Sequence, residues 1–393
     1  MTAYLNALGL VCALGQGQAD VAARLFAGDC SGMQPAAGWI PERQPPVGAV
    51  SGALPEVPLP EQHSRNNQLL YAAALQIEPA IRQAIARNGA HRVAVILGTS
   101  TSGIAEASDG IAQYLLGGQF PAEYRYAEQE LSAPANFLAD WLQLSGPAYV
   151  ISTACTSSGR ALLSARRLLD QGMCDAVLCG GVDSLCSLTL NGFGALEALS
   201  EQRCNPLSAN RDGINIGEAA VLFLMTREGP GIALLGAGAS SDAHHISAPD
   251  PTGVGALQCM GKALDNAGLA PAQIDYLNLH GTATAHNDAM ESLAVHTLFG
   301  ATLPCSSSKP MTGHTLGAAG ALEAAFCWLT LSGHNPEGLL PPHVWDRQQD
   351  PALPALALVD GSQRLSAQRP RRLMSNSFAF GGNNVSLILG DTP

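Results

Sequence analysis

A chain of 393 residues, 47% hydrophobic and only 13% charged, holds enough apolar material for one large two-part core or for two or three smaller ones. Its net charge of −12 argues against a general nucleic-acid binder, which needs a basic face. No apolar run approaches the ~20 residues that span a bilayer. Ten cysteines without a Cys-x-x-Cys pair or regular spacing fit reduced, mostly buried thiols in a cytoplasmic protein.

Residues 5–14 are apolar but lack a basic flank, so they read as a first buried strand and not as a signal peptide. The Pro-rich stretch 34–60 reads as a surface excursion, as does part of 102–135. Residues 69–88 have helical periodicity and lead into a buried strand at 92–98. A β-branched run at 149–155 precedes a helix over 156–169. Its stripe is Ala161, Leu162, Ala165, Leu168 and Leu169, with Arg160, Arg166 and Arg167 largely off it. Gly180-Gly181 predicts a turn, and 221–224 an apolar strand. The order then repeats: a helix at 256–267, a strand at 274–279, a strand at 303–307, a turn at 309–314 and a helix at 316–331. Gly381-Gly382 predicts a second turn, before a strand at 385–389. The repeated order predicts two related halves, residues 1–228 and 229–393, with the boundary near 227–231. Alternating strands and helices predict an α/β chain with mainly parallel sheets covered on both faces, stacked as α-β-α-β-α layers.

Cys155 falls at the junction between a strand and a helix, where unsatisfied amide N–H groups and the helix dipole favour thiolate. His280 and His314 occupy short Gly/Thr-rich loops. Lys309 is one of only two lysines, with Lys262, against eighteen arginines, which points to a place where a guanidinium cannot serve. A nucleophilic thiol, two imidazoles and an ammonium are what a carbon–carbon bond-forming acyl transfer requires. The adjacent His244 and His245 lack Cys or carboxylate partners at zinc spacing, so no metal site is expected.

Four segments in this order carry a resemblance: Thr153-Ala154-Cys155, His280-Gly281-Thr282-Ala283-Thr284, the stretch 309–323, and the closing stretch 376–384. The chain resembles the β-ketoacyl-(acyl carrier protein) synthases, condensing enzymes of thiolase-like fold. Within them it is most similar to synthases of specialised polyene pathways, aryl-polyene clusters included. The resemblance implies that Cys155 takes the acyl group, and that His280 and His314 bind the malonyl thioester carbonyl and stabilise the enolate. It pairs Lys309 with Glu323 and gives Thr282 and Thr284 to the phosphopantetheine arm. Phe380 becomes a gate whose amide, with that of Cys155, forms an oxyanion hole. Arg65, Arg203 and Arg211 match an entrance region that docks the acyl carrier protein. No cofactor is implied, because phosphopantetheine arrives on the carrier. A dimer is implied too, with residues 146–153 as an interface strand, either a homodimer or a heterodimer with a ketosynthase-like subunit.

The chain departs from the family pattern at Ala379, where glycine is usual, at Asn383 for threonine, and at Ala283 and Asn287, where glycine is common. A Cβ at position 379 is expected to narrow the gate's conformational range. Three other readings compete. A non-catalytic chain-length-factor subunit typically lacks the cysteine and basic residues present here. A degradative thiolase needs a second cysteine near the C-terminus, and residues 378–384 supply none. A Cys/His hydrolase would release no carbon dioxide.

Overall fold

The computed structural model describes residues 2–391. The first half runs β1 (Ala3–Cys12), β2 (Gly15–Gln16), α1 (Gln18–Phe26), β3 (Met33–Pro35), β4 (Pro46–Gly48), α2 (Arg65–Gln76), α3 (Glu78–Asn88), β5 (Val93–Gly98) and α4 (Ile104–Gly117). It continues through α5 (Ala133–Leu142), β6 (Ala148–Ile151), α6 (Ser157–Asp170), β7 (Ala176–Asp183), α7 (Ser187–Ala195) and β8 (Ala219–Thr226). The second comprises β9 (Ile232–Ser241), α8 (Val254–Ala267), β10 (Tyr276–Asn278), α9 (Ala285–Phe299), β11 (Pro304–Ser306) and α10 (Lys309–Thr312). It ends with α11 (Ala319–Leu331), β12 (Ala357–Leu358), β13 (Arg372–Ala379) and β14 (Asn383–Asp391).

The strand order β6-β5-β7-β8-β1 in one half matches β11-β10-β13-β14-β9 in the other, and β1 pairs with β9 where the halves meet. Each half therefore uses the same path. Helices α6 and α11 lie side by side between the halves, and their buried faces share one core with β1, β7, β8 and β14. On the outer faces, α2, α3 and α5 cover β5, β7 and β8, while α8 and α9 cover β10, β13 and β14. The result is five layers, α-β-α-β-α. Among the described residues, no helix is long and apolar enough to cross a membrane.

Three sequence expectations need correction. The sheets are mixed: β5, β6 and β7 are parallel, as are β10, β11 and β13, but β8 runs antiparallel to both β7 and β1, and β14 to both β13 and β9. Only three residues separate β13 from β14, and so short a link allows only an antiparallel pair. Gly180-Gly181 is not a turn but lies within β7. A Cβ on Gly180 would fall 2.0 Å from the Val221 carbonyl oxygen, and one on Gly181 2.6 Å from Ser158 Cβ, so these glycines admit β8 and the first turn of α6. The stretch 34–60 is only partly a surface excursion. Val47, Val50 and Val57 are buried, and Gly48 exchanges backbone bonds with Ile216 and Glu218 beside the loop that carries His314.

Candidate active site

The chemistry-bearing residues come from strand ends of both halves. Cys155 follows β6, His280 follows β10, Lys309 to His314 follow β11, and Phe380 follows β13. Parallel strands with helical returns open their carboxyl ends into a crevice, the usual place for ligands in such sheets.

Cys155 is presented by a strained turn. Ala154 has φ 51°, a left-handed conformation that costs a side-chain-bearing residue roughly 1–2 kcal/mol. Ser157 anchors the turn, its Oγ donating to the Ala154 carbonyl at 2.5 Å and accepting the Thr153 N–H at 2.9 Å. The thiol is buried, and its sulfur lies 2.9 Å from His314 Nε2. His314 Nδ1 accepts the Leu316 N–H at 3.1 Å, which assigns the imidazole proton to Nε2 and aims an N–H donor at the sulfur. Cys155 Sγ and one ring nitrogen each of His280 and His314 lie within 4.8 Å of one another, and the two rings meet edge to face at 5.3 Å.

Electrostatics decide what these groups can be at rest. Burial, then the nearby Lys309 ammonium, hold both imidazoles well below their ordinary value, so both are neutral. Burial also pushes the Cys155 thiol up to about 12, against Lys309 and the backbone N–H groups of Cys155 and Phe380, which pull it down. This corrects the expectation of a resting thiolate: the helix terminus favours one, but desolvation outweighs it. The same two amides act on the sulfur, and an oxyanion formed there has both as candidate donors. Three buried Cys and His donors could hold a metal ion. Here, however, His314 turns a protonated nitrogen inward, and Lys309 is close enough to repel a dication.

Lys309 is 2% exposed and gives its ammonium to Glu323 Oε1 and the His280 carbonyl. One cation thus ties together the loops that carry the two histidines. Glu323 rises to about 7 because burial outweighs the attraction of Lys309. Thr282 and Thr284 line the crevice with their hydroxyls 2.9 Å apart. Phe380 lies at its mouth, 38% exposed and tilted against Phe193 at 5.6 Å. The cavity of about 330 Å³ takes in Cys155, both histidines and both threonines.

Ala379 is extended, with φ −123°, so its Cβ is unstrained and the expected narrowing of the gate does not originate there. The left-handed positions are Gly381 and Gly382. Ala283, by contrast, does sit at φ 66°. None of the three arginines lines the cavity. Arg65 is committed to buried Glu218, and Arg211 reaches Asp350 at 2.6 Å and the Ser208 carbonyl at 2.8 Å. Arg203 is exposed.

Three buried acids escaped the sequence reading. Glu291 accepts the His280 and Gly281 N–H groups at 2.8 and 2.7 Å, and burial raises it to about 7. Asp183 collects Thr99, Ser100 and Thr101 from one half and the Gly317 N–H from the other. Asp288 holds the Leu207 N–H at 2.7 Å and that of Ala283 at 3.2 Å. The sequence signal was plain only for Asp183, which closes the otherwise apolar β7; Asp288 and Glu291 sit in α9 among other polar residues.

Comparison with known proteins matches this arrangement. Residues 62–229 match the family described as Beta-ketoacyl synthase, N-terminal domain, and residues 232–344 its C-terminal domain. The chain is 37% identical over 267 residues to 3-oxoacyl-[acyl-carrier-protein] synthase 2 of Rhizobium meliloti (strain 1021). That match takes in 63% of this chain and 61% of the rhizobial protein's length. It is 32% identical over 358 residues, 87% of each chain, to Nodulation protein E of Rhizobium leguminosarum bv. trifolii. Among solved structures, the ketosynthase ApeO in complex with its chain length factor ApeC, from Xenorhabdus doucetiae, superposes with a TM-score of 0.94 at 48% identity, covering 100% of this chain and 98% of that one. The chain belongs to the β-ketoacyl synthase family.

Proposed function

We propose that this chain is a β-ketoacyl-(acyl carrier protein) synthase that performs a decarboxylative Claisen condensation on acyl carrier protein substrates. The observation that carries the reading is the buried thiol clustered with two neutral imidazoles, with a lysine nearby. In the first half-reaction the Cys155 sulfur attacks the acyl thioester. A new S–C bond forms, the carrier's S–C bond breaks, and the proton leaves on the carrier thiol. The amides of Cys155 and Phe380 hold the oxyanion. In the second, the malonyl thioester carbonyl lies against His280 and His314. Carbon dioxide departs, its bonding electrons form an enolate on that oxygen, and the enolate carbon attacks the acyl-enzyme. Collapse of the adduct returns the electrons to Cys155. Thr282 and Thr284 hold the phosphopantetheine arm, which arrives on the carrier, and Lys309 with Glu323 fixes the histidine loops. Arg203 is the arginine left accessible for the carrier.

The partner is a ketosynthase-like subunit at the β6 edge, where, among the described residues, the strand pairs only with β5. Residues 104–142, whose helix α5 packs on β6, carry six acidic side chains and one arginine, with Ile111, Tyr114, Leu115 and Leu116 exposed on α4. A symmetric homodimer would set like charges against each other, so a non-identical subunit, the kind seen with ApeO, is the better fit. The substrates are acyl chains of fatty-acid elongation or of a specialised polyene or polyketide pathway. We place the protein in the cytoplasm, which its ten free thiols support.

Intact mass after incubation with a panel of acyl-carrier proteins, followed by measurement of carbon dioxide released from malonyl-carrier protein, tests the reading. Wild type is expected to gain an acyl mass on Cys155, and Cys155→Ala none. An adduct that persists on another cysteine defeats the assignment.

A further inference from the structure

We infer that His343 is a positioning residue for the second half-reaction, an inference that rests on the condensing activity proposed above. His343 does not line the active-site cavity; it is buried against Ser307, two residues before Lys309. Its Nδ1 accepts the Ser307 N–H at 3.1 Å, its Nε2 reaches the Pro206 carbonyl at 3.0 Å, and its own N–H donates to Val359 at 2.8 Å. An Nδ1 that accepts and an Nε2 that donates define one neutral tautomer with both nitrogens satisfied. Burial holds it neutral, down at about 4.

Ser307 is where these contacts reach the site. Its Oγ donates to the Gly281 carbonyl at 2.7 Å and accepts the Lys309 N–H at 3.3 Å. One residue therefore touches the His280 turn and the Lys309 turn, and His343 holds its backbone. On the other side, Pro206 precedes Leu207, whose N–H is bound by Asp288, the carboxylate that also holds Ala283. His343 thus locks together three segments that place His280 and His314. It makes no bond to the turn of Cys155 or to Phe380. Acyl transfer should feel its loss little, and enolate formation, which needs both histidines aimed at one oxygen, should feel it strongly.

The two nitrogens can be tested apart. Asparagine places an oxygen near Nδ1 and can keep the Ser307 bond; glutamine places an amide near Nε2 and can keep only the Pro206 bond. Cys155 acylation and malonyl decarboxylation are measured separately for wild type, His343→Asn and His343→Gln, with thermal melting alongside. The expected result is acylation within about twofold throughout, decarboxylation within about threefold for His343→Asn and down about tenfold or more for His343→Gln. Should the glutamine variant not fold, His343→Ala takes its place, losing both bonds: decarboxylation within about threefold of wild type there, or acylation falling with it, overturns the inference. Equal losses in both variants, or acylation and decarboxylation falling together, also overturn it and leave His343 as core filling. A wild type that shows neither half-reaction instead overturns the proposed function and this inference with it.

Discussion

At the scale of single residues, the site's chemistry is set by burial. Because the Cys155 thiol rises to about 12, its alkylation rate should keep climbing about tenfold per pH unit from about pH 7 to about pH 9. A plateau near neutrality in an iodoacetamide time course would mean that the helix terminus and His314 outweigh desolvation. Lys309→Arg should cost about 10²-fold in decarboxylation, because a guanidinium cannot occupy the closed space between Glu323 and the His280 carbonyl. Near-wild-type turnover would reduce Lys309 to a generic cation. Ala283→Gly should stabilise the chain by about 1 kcal/mol by relieving a left-handed φ, read as a higher melting temperature. Cys155, His280, His314 and Lys309 were legible because reactive side chains stand out in Gly- and Thr-bounded turns. Asp183, Asp288 and Glu291 were not, since what they bind is backbone from distant segments, and no local pattern announces a carboxylate that serves someone else's amide.

At the scale of elements, the strands and central helices were legible from apolar runs and stripes, while their directions were not. The parallel reading assumed a helix between every pair of strands, and the tight link from β13 to β14 breaks that assumption. Gly180-Gly181 misled because paired glycines mark a turn only when the chain itself needs the freedom; here the neighbouring chain needs the room. Helix α4 yields a prediction of its own. Leu116 is 92% exposed at its end, so Leu116→Glu removes no internal contact. The variant should keep the wild-type melting temperature of the isolated chain yet lose mass in light scattering when the partner subunit is present. An unchanged complex would place the partner elsewhere.

For the whole molecule, the raised acids and lowered histidines pull stability in opposite directions. Glu291 and Glu323 stand near 7 against an ordinary 4.5, so between those values the folded chain keeps protons that the unfolded chain has released, and stability falls as pH rises. His280, His314 and His343 refuse protons that the unfolded chain binds below 6.5, so their share is lost as pH falls below that value. Below 6.5 the two sets oppose, and above it only the carboxylates act. Melting temperature should decline from about pH 6.5 to about pH 7.5, and Glu291→Gln should flatten that decline. A wild-type slope unchanged in the variant would remove Glu291 from the account. The repeated order of elements made the pairing of halves legible. That α6 and α11 would meet between them was not, because each stripe says only that it is buried and never against what.

That shared centre bears on how the chain is made. The apolar face of α6 leaves the ribosome long before α11, its cover from the other half, has been synthesised. At about 5–20 residues per second, the interval is on the order of ten seconds. During it the nascent first half carries an open hydrophobic seam, a natural target for a chaperone, and the nucleophile at the head of α6 comes to rest only once α11 has been made to cover it.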